Sequence, residues 1–344
     1  MRNREQFEGG VGDELLDRRE ILQRGVALAG ATSLAFSVLG RAAAARAGGQ
    51  RAMDAKSEAK KIAFDRSGKG DKVLLISGFP QTRRSWNRLV PLLSRKFETM
   101  PADLLSFGDS GILDAPATTE NAGRVFHEFV TGLGTPLHVV AHDFGAWVAY
   151  SWALLFKEDF KSLTLIEAGI PGVTLLNDIE LSDYKRKWNF IFQMLPDMPA
   201  ELTKGKEDVY VGWWFKNKVY KPGAIPQGGR RCLRAFAYAR EGRMDAAFDY
   251  CRKIVEDMEF NKKQFKSKLP IRLLAVGGEH SIPNMGDSLR PYFKQVKSVV
   301  IPDSGQLRSG RTAGGPCQGP ARFPVIDRDR YVDSSESKPP RVSP

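Results

Sequence analysis

The sequence predicts an α/β fold, in which a mostly parallel sheet is covered by helices on both faces and carries an inserted helical cap. From Lys72 onward, short β-branched or aliphatic runs alternate with longer helical stretches, as in parallel strands joined by crossover helices. Between Ile166 and Ile271, roughly a hundred residues carry no strand signal and are rich in aromatic residues. The 344 residues, 42% of them hydrophobic, suffice to bury one substantial core and an added lobe.

The individual elements follow from the short apolar runs. Five strands are expected, at residues 73–76, 137–141, 162–166, 271–276 and 298–301. The long insertion is interpreted as helical, and its aromatic residues at helical spacing more often indicate core packing than ligand contacts. These aromatic residues are Trp188, Phe190, Phe192, Trp213, Trp214, Phe236, Phe248 and Tyr250.

The first segment, residues 1–47, is predicted to be an export signal. The pair Arg18-Arg19 precedes a weakly apolar run at 25–40 that ends in small residues, the order of a bacterial twin-arginine signal. This run is too short and too rich in Gly and Ser for a transmembrane helix, which needs about 20 apolar residues. We therefore expect export to the periplasm or the medium without a stable membrane anchor. An amphipathic helix that stays attached is the alternative.

Composition argues against other classes of function. The net charge is +12, yet no block of five or six basic residues occurs, so the sequence gives little support for nucleic-acid binding. The cysteines Cys232, Cys251 and Cys317 lack C-x-x-C spacing, and neither a metal site nor a disulfide scaffold is expected. A Cys232–Cys251 disulfide after export is one option, and an unpaired thiol is the other. A homodimer is compatible with the sequence.

The strongest chemical signal is the segment 140–146, which follows a predicted strand and precedes a helical stretch. Small residues two before and two after Asp143 are what a tight strand-to-helix turn requires, because larger side chains would clash there. An Asp at such a turn can displace a leaving group at an sp³ carbon and form an alkyl ester. The segment Ser77–Pro80 follows the first strand, so the backbone N–H groups of Phe79 and Phe144 are the predicted oxyanion donors.

Three segments, 78–82, 102–110 and 141–145, resemble the α/β-hydrolase family of epoxide hydrolases and their dehalogenase relatives, and the resemblance covers roughly residues 61–305. It implies an α/β-hydrolase fold with core parts 48–168 and 267–305, a cap at 169–266, and no organic cofactor. It implies Asp143 as nucleophile and Glu167 as the acid that partners a histidine, which activates the water that cleaves the ester.

The resemblance also concerns the cap. Ring-opening donors are expected where this chain has Asn189 and Cys251, with Tyr250 one position away as a candidate substitute, although one residue of helix turns a side chain by about 100°. Trp188 and Asn189 are expected to contact the substrate. The cap tyrosines Tyr210 and Tyr238 are interpreted as packing residues.

The sequence departs from the family where the catalytic histidine is expected. Gly305 is followed by Gln306, and glutamine cannot accept a proton near neutral pH. Of the histidines His127, His138, His142 and His280, only His280 lies at a strand end near the expected site. An ester on Asp143 is therefore expected to persist, with turnover impaired unless His280 acts as the base.

The tail, residues 306–344, is rich in Gly and Pro near its start and is expected to be disordered. Codons for 306–324 read one base later can encode an amphipathic helix. We therefore hypothesise a reading-frame shift that removed the catalytic histidine and the last helix, which sequencing the gene around codon 306 tests; a disordered tail without such a shift is the alternative.

Two classes of function remain: a hydrolase of a small apolar epoxide or halide, and a non-catalytic small-molecule binder. The epoxide is favoured because Phe144–Trp147 lacks both the Trp directly after the nucleophile that is common in haloalkane dehalogenases and the Arg of haloacetate dehalogenases.

Overall fold

The computed structural model describes residues 53–175, 184–218 and 237–305. Several predictions lie outside the described residues. They are the export signal at 1–47, the tail at 306–344 that begins with Gln306, and the residues Cys232, Phe236 and Cys317.

In the described part of the chain, six parallel strands form one sheet in the order β2-β1-β3-β4-β5-β6. The α/β class and the parallel sheet are thereby confirmed. Each of the five predicted strands is present and extends beyond its predicted bounds. The strands are β1 Asp71–Ile76, β2 Phe97–Ala102, β3 Leu137–His142, β4 Phe160–Ile166, β5 Leu269–Gly278 and β6 Phe293–Ile301.

Strand β2 was not predicted, because its sequence contains Pro101 and little β-branched character. Proline lacks the N–H group that a central strand needs for its ladder. Pro101 pairs in register with Leu75 of β1, but its carbonyl accepts the Asp65 N–H at 3.0 Å on the opposite side. The strand lies at one end of the sheet order, where the missing donor breaks no bond to β1.

Helices cover the sheet and bury its apolar side chains. Helix α4 is buried along most of its length, and its Trp152 stacks on Phe126 of α3 with ring centroids 5.9 Å apart. In the described part of the chain, no helix is long and apolar enough to span a membrane. Outside the insertion the helices are α1 Ala55–Ala59, α2 Val90–Leu93, α3 Thr119–Thr131, α4 Phe144–Leu155 and α10 Met285–Leu289.

The insertion between β4 and β5 is helical wherever it is described. Its aromatic residues pack mainly on one another: Trp188 lies 4.9 Å from Trp213, and Tyr210 lies 5.6 Å from Phe248 between ring centroids. This packing confirms the interpretation of the aromatic pattern as core, while the exact domain limits stay a prediction. The helices are α5 Tyr184–Met194, α6 Met198–Thr203, α7 Glu207–Asn217, α8 Arg243–Arg252 and α9 Ile254–Gln264.

Candidate active site

Asp143 occupies the turn between β3 and α4 with φ 54° and ψ −125°. A positive φ is strained for a residue with a Cβ and costs on the order of 1–3 kcal/mol. A Cβ on Gly145 would lie 2.8 Å from the Ile76 carbonyl oxygen, so the turn passes β1 too closely for any larger residue. The predicted tight strand-to-helix turn is confirmed, and the Asp143 side chain is largely buried.

Two backbone N–H groups lie next to the Asp143 carboxylate. The Phe79 N–H donates to Asp143 Oδ1 at 2.9 Å. A Cβ on Gly78 would lie 2.4 Å from both this oxygen and the Phe144 nitrogen. Because glycine has no Cβ, the chain after β1 can approach the Asp143 carboxylate this closely. Such N–H groups stabilise negative charge on an oxygen, which is the role predicted for Phe79 and Phe144.

Glu167 directly follows β4, and the sheet register places it beside Asp143. His142 pairs with Ile166 at the ends of the two strands, so the next residue of each strand emerges at the same sheet edge. Glu167 has φ 49° and is buried, and its Oε1 accepts the Gly278 N–H from β5. The structure therefore brings together the two carboxylates that the sequence singled out.

A cavity of about 640 Å³ opens above this sheet edge, within the usual range of small-molecule sites. Asp143 and Glu167 line it from the sheet, and apolar side chains form much of its wall. Trp147 lies one helical turn after Asp143 and stacks on Phe190 with ring centroids 6.1 Å apart. Other lining residues include Phe79, Phe144, Leu175, Lys187, Asn189, Trp214, Lys218, His280, Ile282 and Met285.

The two predicted substrate contacts on α5 have different surroundings. Asn189 lines the cavity and is buried. Trp188 does not line it and instead packs on Trp213 inside the cap, a position that gives no support to its predicted substrate contact. Consecutive helical residues point about 100° apart, and Phe190 is the aromatic residue of this helix that faces the cavity.

Tyr250 and Cys251 are fully buried in α8, outside the cavity lining. The Tyr250 hydroxyl donates to the Leu105 carbonyl at 3.3 Å, a geometry that gives no support to its predicted role as ring-opening donor. The Cys251 thiol donates to Gln193 Oε1 at 3.0 Å, and burial raises its pKa. Cys251 is a free cysteine, in agreement with the unpaired-thiol alternative, while Cys232 lies outside the described residues.

All four histidines are described, and His280 is the one that lines the cavity with Asp143 and Glu167. His127 Nδ1 lies 2.8 Å from Asp159 Oδ2, and His138 Nδ1 lies 2.7 Å from Ser162 Oγ. His142 is buried beside the nucleophile in sequence. The position of His280 keeps it as the candidate base.

His280 also belongs to an exposed group with Glu279 and Asp303, whose potential ligand atoms lie within 4.8 Å of one another. Among the described residues, it is the one group of His, Cys, Asp and Glu side chains that could hold a metal ion together. The Asp303 N–H donates to Glu279 Oε2 at 2.8 Å, which accounts for the approach of these two residues. No metal site is expected from the sequence at these residues.

Residues 73–307 match the model of the alpha/beta hydrolase family. The chain is similar to the soluble epoxide hydrolase of Corynebacterium sp. (strain C12), with 26% identity over 68% of this chain and 82% of that protein. It is 28% identical to the fluoroacetate dehalogenase of Burkholderia sp. over 41% of this chain, and spans about half (48%) of that relative's length. The crystal structure of Cfl2 from Burkholderia cenocepacia superposes with a TM-score of 0.67 and 32% identity, over 71% of this chain and 85% of Cfl2. The chain belongs to the alpha/beta hydrolase family.

Proposed function

We propose that this chain is a hydrolase of the epoxide hydrolase type, in which Asp143 attacks a ring carbon and forms an alkyl-enzyme ester. The observation that carries the proposal is the 2.9 Å hydrogen bond from the Phe79 N–H to Asp143 Oδ1, in a carboxylate that lines the cavity. A carboxylate with one oxygen fixed by a backbone donor is held in one orientation, which favours attack by its other oxygen.

The apolar wall of the cavity supports a small apolar substrate. Similarity to an epoxide hydrolase and to a fluoroacetate dehalogenase supports chemistry at an sp³ carbon that carries a leaving group. The four residues after the nucleophile, Phe144 to Trp147, lack the Trp and the Arg that are expected in haloalkane and haloacetate dehalogenases. This difference favours an epoxide over a halide. We further propose, from the predicted export signal at 1–47, that the activity is located outside the cytoplasm.

Hydrolysis of the ester requires a base that activates water. Glu167 is buried beside the nucleophile and is suited to orient such a base, but Gln306 stands where the histidine is expected. Gly305, the residue before it, lines the cavity. The ester is therefore expected to accumulate, and His280 is the described residue best placed to replace the base.

Intact-mass spectrometry of the purified protein after incubation with 1,2-epoxyhexane and styrene oxide tests the proposal. A mass gain equal to one epoxide in the wild type, absent in Asp143→Asn, is the expected result. Release of diol without an adduct would instead mean that the ester turns over, and His280→Gln should then convert diol release into a stable adduct. Neither adduct nor diol from either epoxide would overturn the proposal and favour a non-catalytic binder.

A further inference from the structure

Glu279, His280 and Asp303 place three groups that bind metal ions at one edge of the sheet. One ligand atom from each residue lies within 4.8 Å of the other two, and all three residues are exposed to solvent. Three atoms that share a zinc ion at about 2.0–2.2 Å stand roughly 3.4 Å apart in tetrahedral geometry. A shift of about 1 Å in these exposed side chains therefore suffices to bring all three ligand atoms onto one ion.

Backbone hydrogen bonds hold the two chain segments that carry these side chains. Gly278 and Ile301 pair at the ends of β5 and β6, so the residues that follow both strands emerge together. The Glu279 N–H donates to the Ile301 carbonyl at 3.0 Å, and the His280 N–H donates to the Ser304 carbonyl at 2.9 Å. Ligands that are carried by rigid strand ends are positioned before an ion arrives, which favours binding.

The types of ligand in this group select the kind of ion. Imidazole nitrogen suits zinc and nickel, whereas calcium and magnesium take oxygen ligands. The Asp303 N–H donates to Glu279 Oε2 at 2.8 Å, and His280 Nε2 lies 3.6 Å from the same oxygen. The imidazole nitrogen thus faces the carboxylates, and a divalent cation bound among the three side chains would balance the two negative charges.

We propose that Glu279, His280 and Asp303 bind a divalent transition-metal ion of the zinc type at the rim of the cavity. His280 is the member of the group that lines the cavity with Asp143 and Glu167. Three protein ligands leave a fourth tetrahedral position for water. The ion occupies the lone pair of the imidazole nitrogen that binds it, so a metal-bound His280 cannot act as a base at that nitrogen. Metal binding is independent of the proposed function, whereas the loss of His280 as a base rests on it.

The test is a calorimetric titration of the full chain, purified without a histidine tag, with zinc chloride. Loss of an outer partner of a metal ligand costs about 10–100-fold in affinity, so loss of a ligand through His280→Gln or Asp303→Asn should weaken zinc binding at least about tenfold. Glu279→Gln should do the same, although its amide oxygen can still accept the Asp303 N–H. The matched control is His127→Gln, which removes an imidazole beside the single carboxylate of Asp159 and should leave the zinc affinity unchanged.

Imidazole signals in nuclear magnetic resonance spectra give a second readout. The chain has four histidines, and zinc should shift the signals of one of them, the one that His280→Gln removes. Zinc binding that His280→Gln leaves unchanged, or that calcium chloride matches in affinity, would overturn the inference, because the nitrogen ligand would then have no part. Absence of zinc binding would overturn it as well. Each of these outcomes leaves the proposed function standing, since the adduct on Asp143 is measured without added metal.

Discussion

Asp257 in α9 lies in a buried network that joins the insertion to the core, and its replacement by asparagine should change how stability depends on pH. The residue is fully buried, and its Oδ1 accepts the Thr119 N–H at 2.8 Å, at the start of α3. Among the described residues, Oδ2 has no hydrogen-bond partner. Burial raises the pKa of this carboxyl to about 7, and the charges of Glu256 and Glu120 act in the same direction.

The direction of the effect follows from where the proton is bound. In the unfolded chain the carboxyl loses its proton near its ordinary pKa of 3.8, whereas in the folded chain it keeps the proton up to about pH 7. The folded state binds more protons in this window, so stability falls as pH rises from about 4 to 7. Between pH 5 and pH 8 the loss amounts to about 3 kcal/mol.

Asp257→Asn keeps an acceptor for the Thr119 N–H and removes the titration. Urea unfolding followed by circular dichroism at pH 5 and pH 8 measures the effect. The difference in unfolding free energy between variant and wild type should shift in favour of the variant by about 3 kcal/mol from pH 5 to pH 8. The same difference at both pH values would refute the reasoning.

The control is Ser151→Ala, which alters a neutral member of the same network. Ser151 Oγ lies 2.7 Å from Thr119 Oγ1 and 2.7 Å from Asn261 Oδ1, which accepts the Ser151 proton. Its removal should lower the unfolding free energy by about 1 kcal/mol at both pH values, because no charge is gained or lost. A pH-dependent effect of this variant would mean that the network, and not the Asp257 charge, sets the slope.

Three further outcomes are expected. Gly78→Ala should abolish the mass adduct while the chain stays folded by circular dichroism, because its Cβ would lie 2.4 Å from Asp143 Oδ1; an adduct at the wild-type rate would contradict the close approach. Gln306→His should release diol at least about tenfold faster than the wild type if only the base is missing, and Asp143→Asn in that background should remove the gain. Iodoacetamide at pH 8 should leave Cys251 unmodified in the folded chain, because burial raises the pKa of its thiol; peptide mapping before and after unfolding checks this, and modification before unfolding would contradict it.

The features of the fold that the sequence revealed are those that depend on local backbone requirements. Buried parallel strands appear as short apolar runs, and the turn at Asp143 is recognisable because its neighbours must be small. The ends of β3 and β4 then place Asp143 and Glu167 together through register alone. Strand β2 was not predicted because it contains Pro101. A proline is tolerated there because β2 lies at one end of the sheet order, and no local sequence pattern encodes that position.

Side-chain direction in the cap was beyond the reach of the sequence. Trp188, Asn189 and Phe190 are consecutive residues of one helix, and only the packing of that helix decides which of them face the cavity. Likewise, Tyr238 and Tyr250 look alike as buried aromatic residues. They differ in whether a carbonyl lies within reach of the hydroxyl, which is a property of the folded chain.

The two half-reactions of the proposed mechanism depend on different parts of the chain. Ester formation needs Asp143, the Phe79 N–H and the cavity wall. The strands and helices before residue 305 hold these groups in position. In the proposed mechanism hydrolysis needs a base, which is expected after the last strand, where the sequence has Gln306 and glutamine cannot accept a proton near neutral pH. Asp143 keeps its strained φ of 54°, as a nucleophile at the sheet edge requires, whether or not a base follows. Covalent trapping is therefore a more direct measure of this site than turnover, because the ester can form on residues that the fold already holds in place.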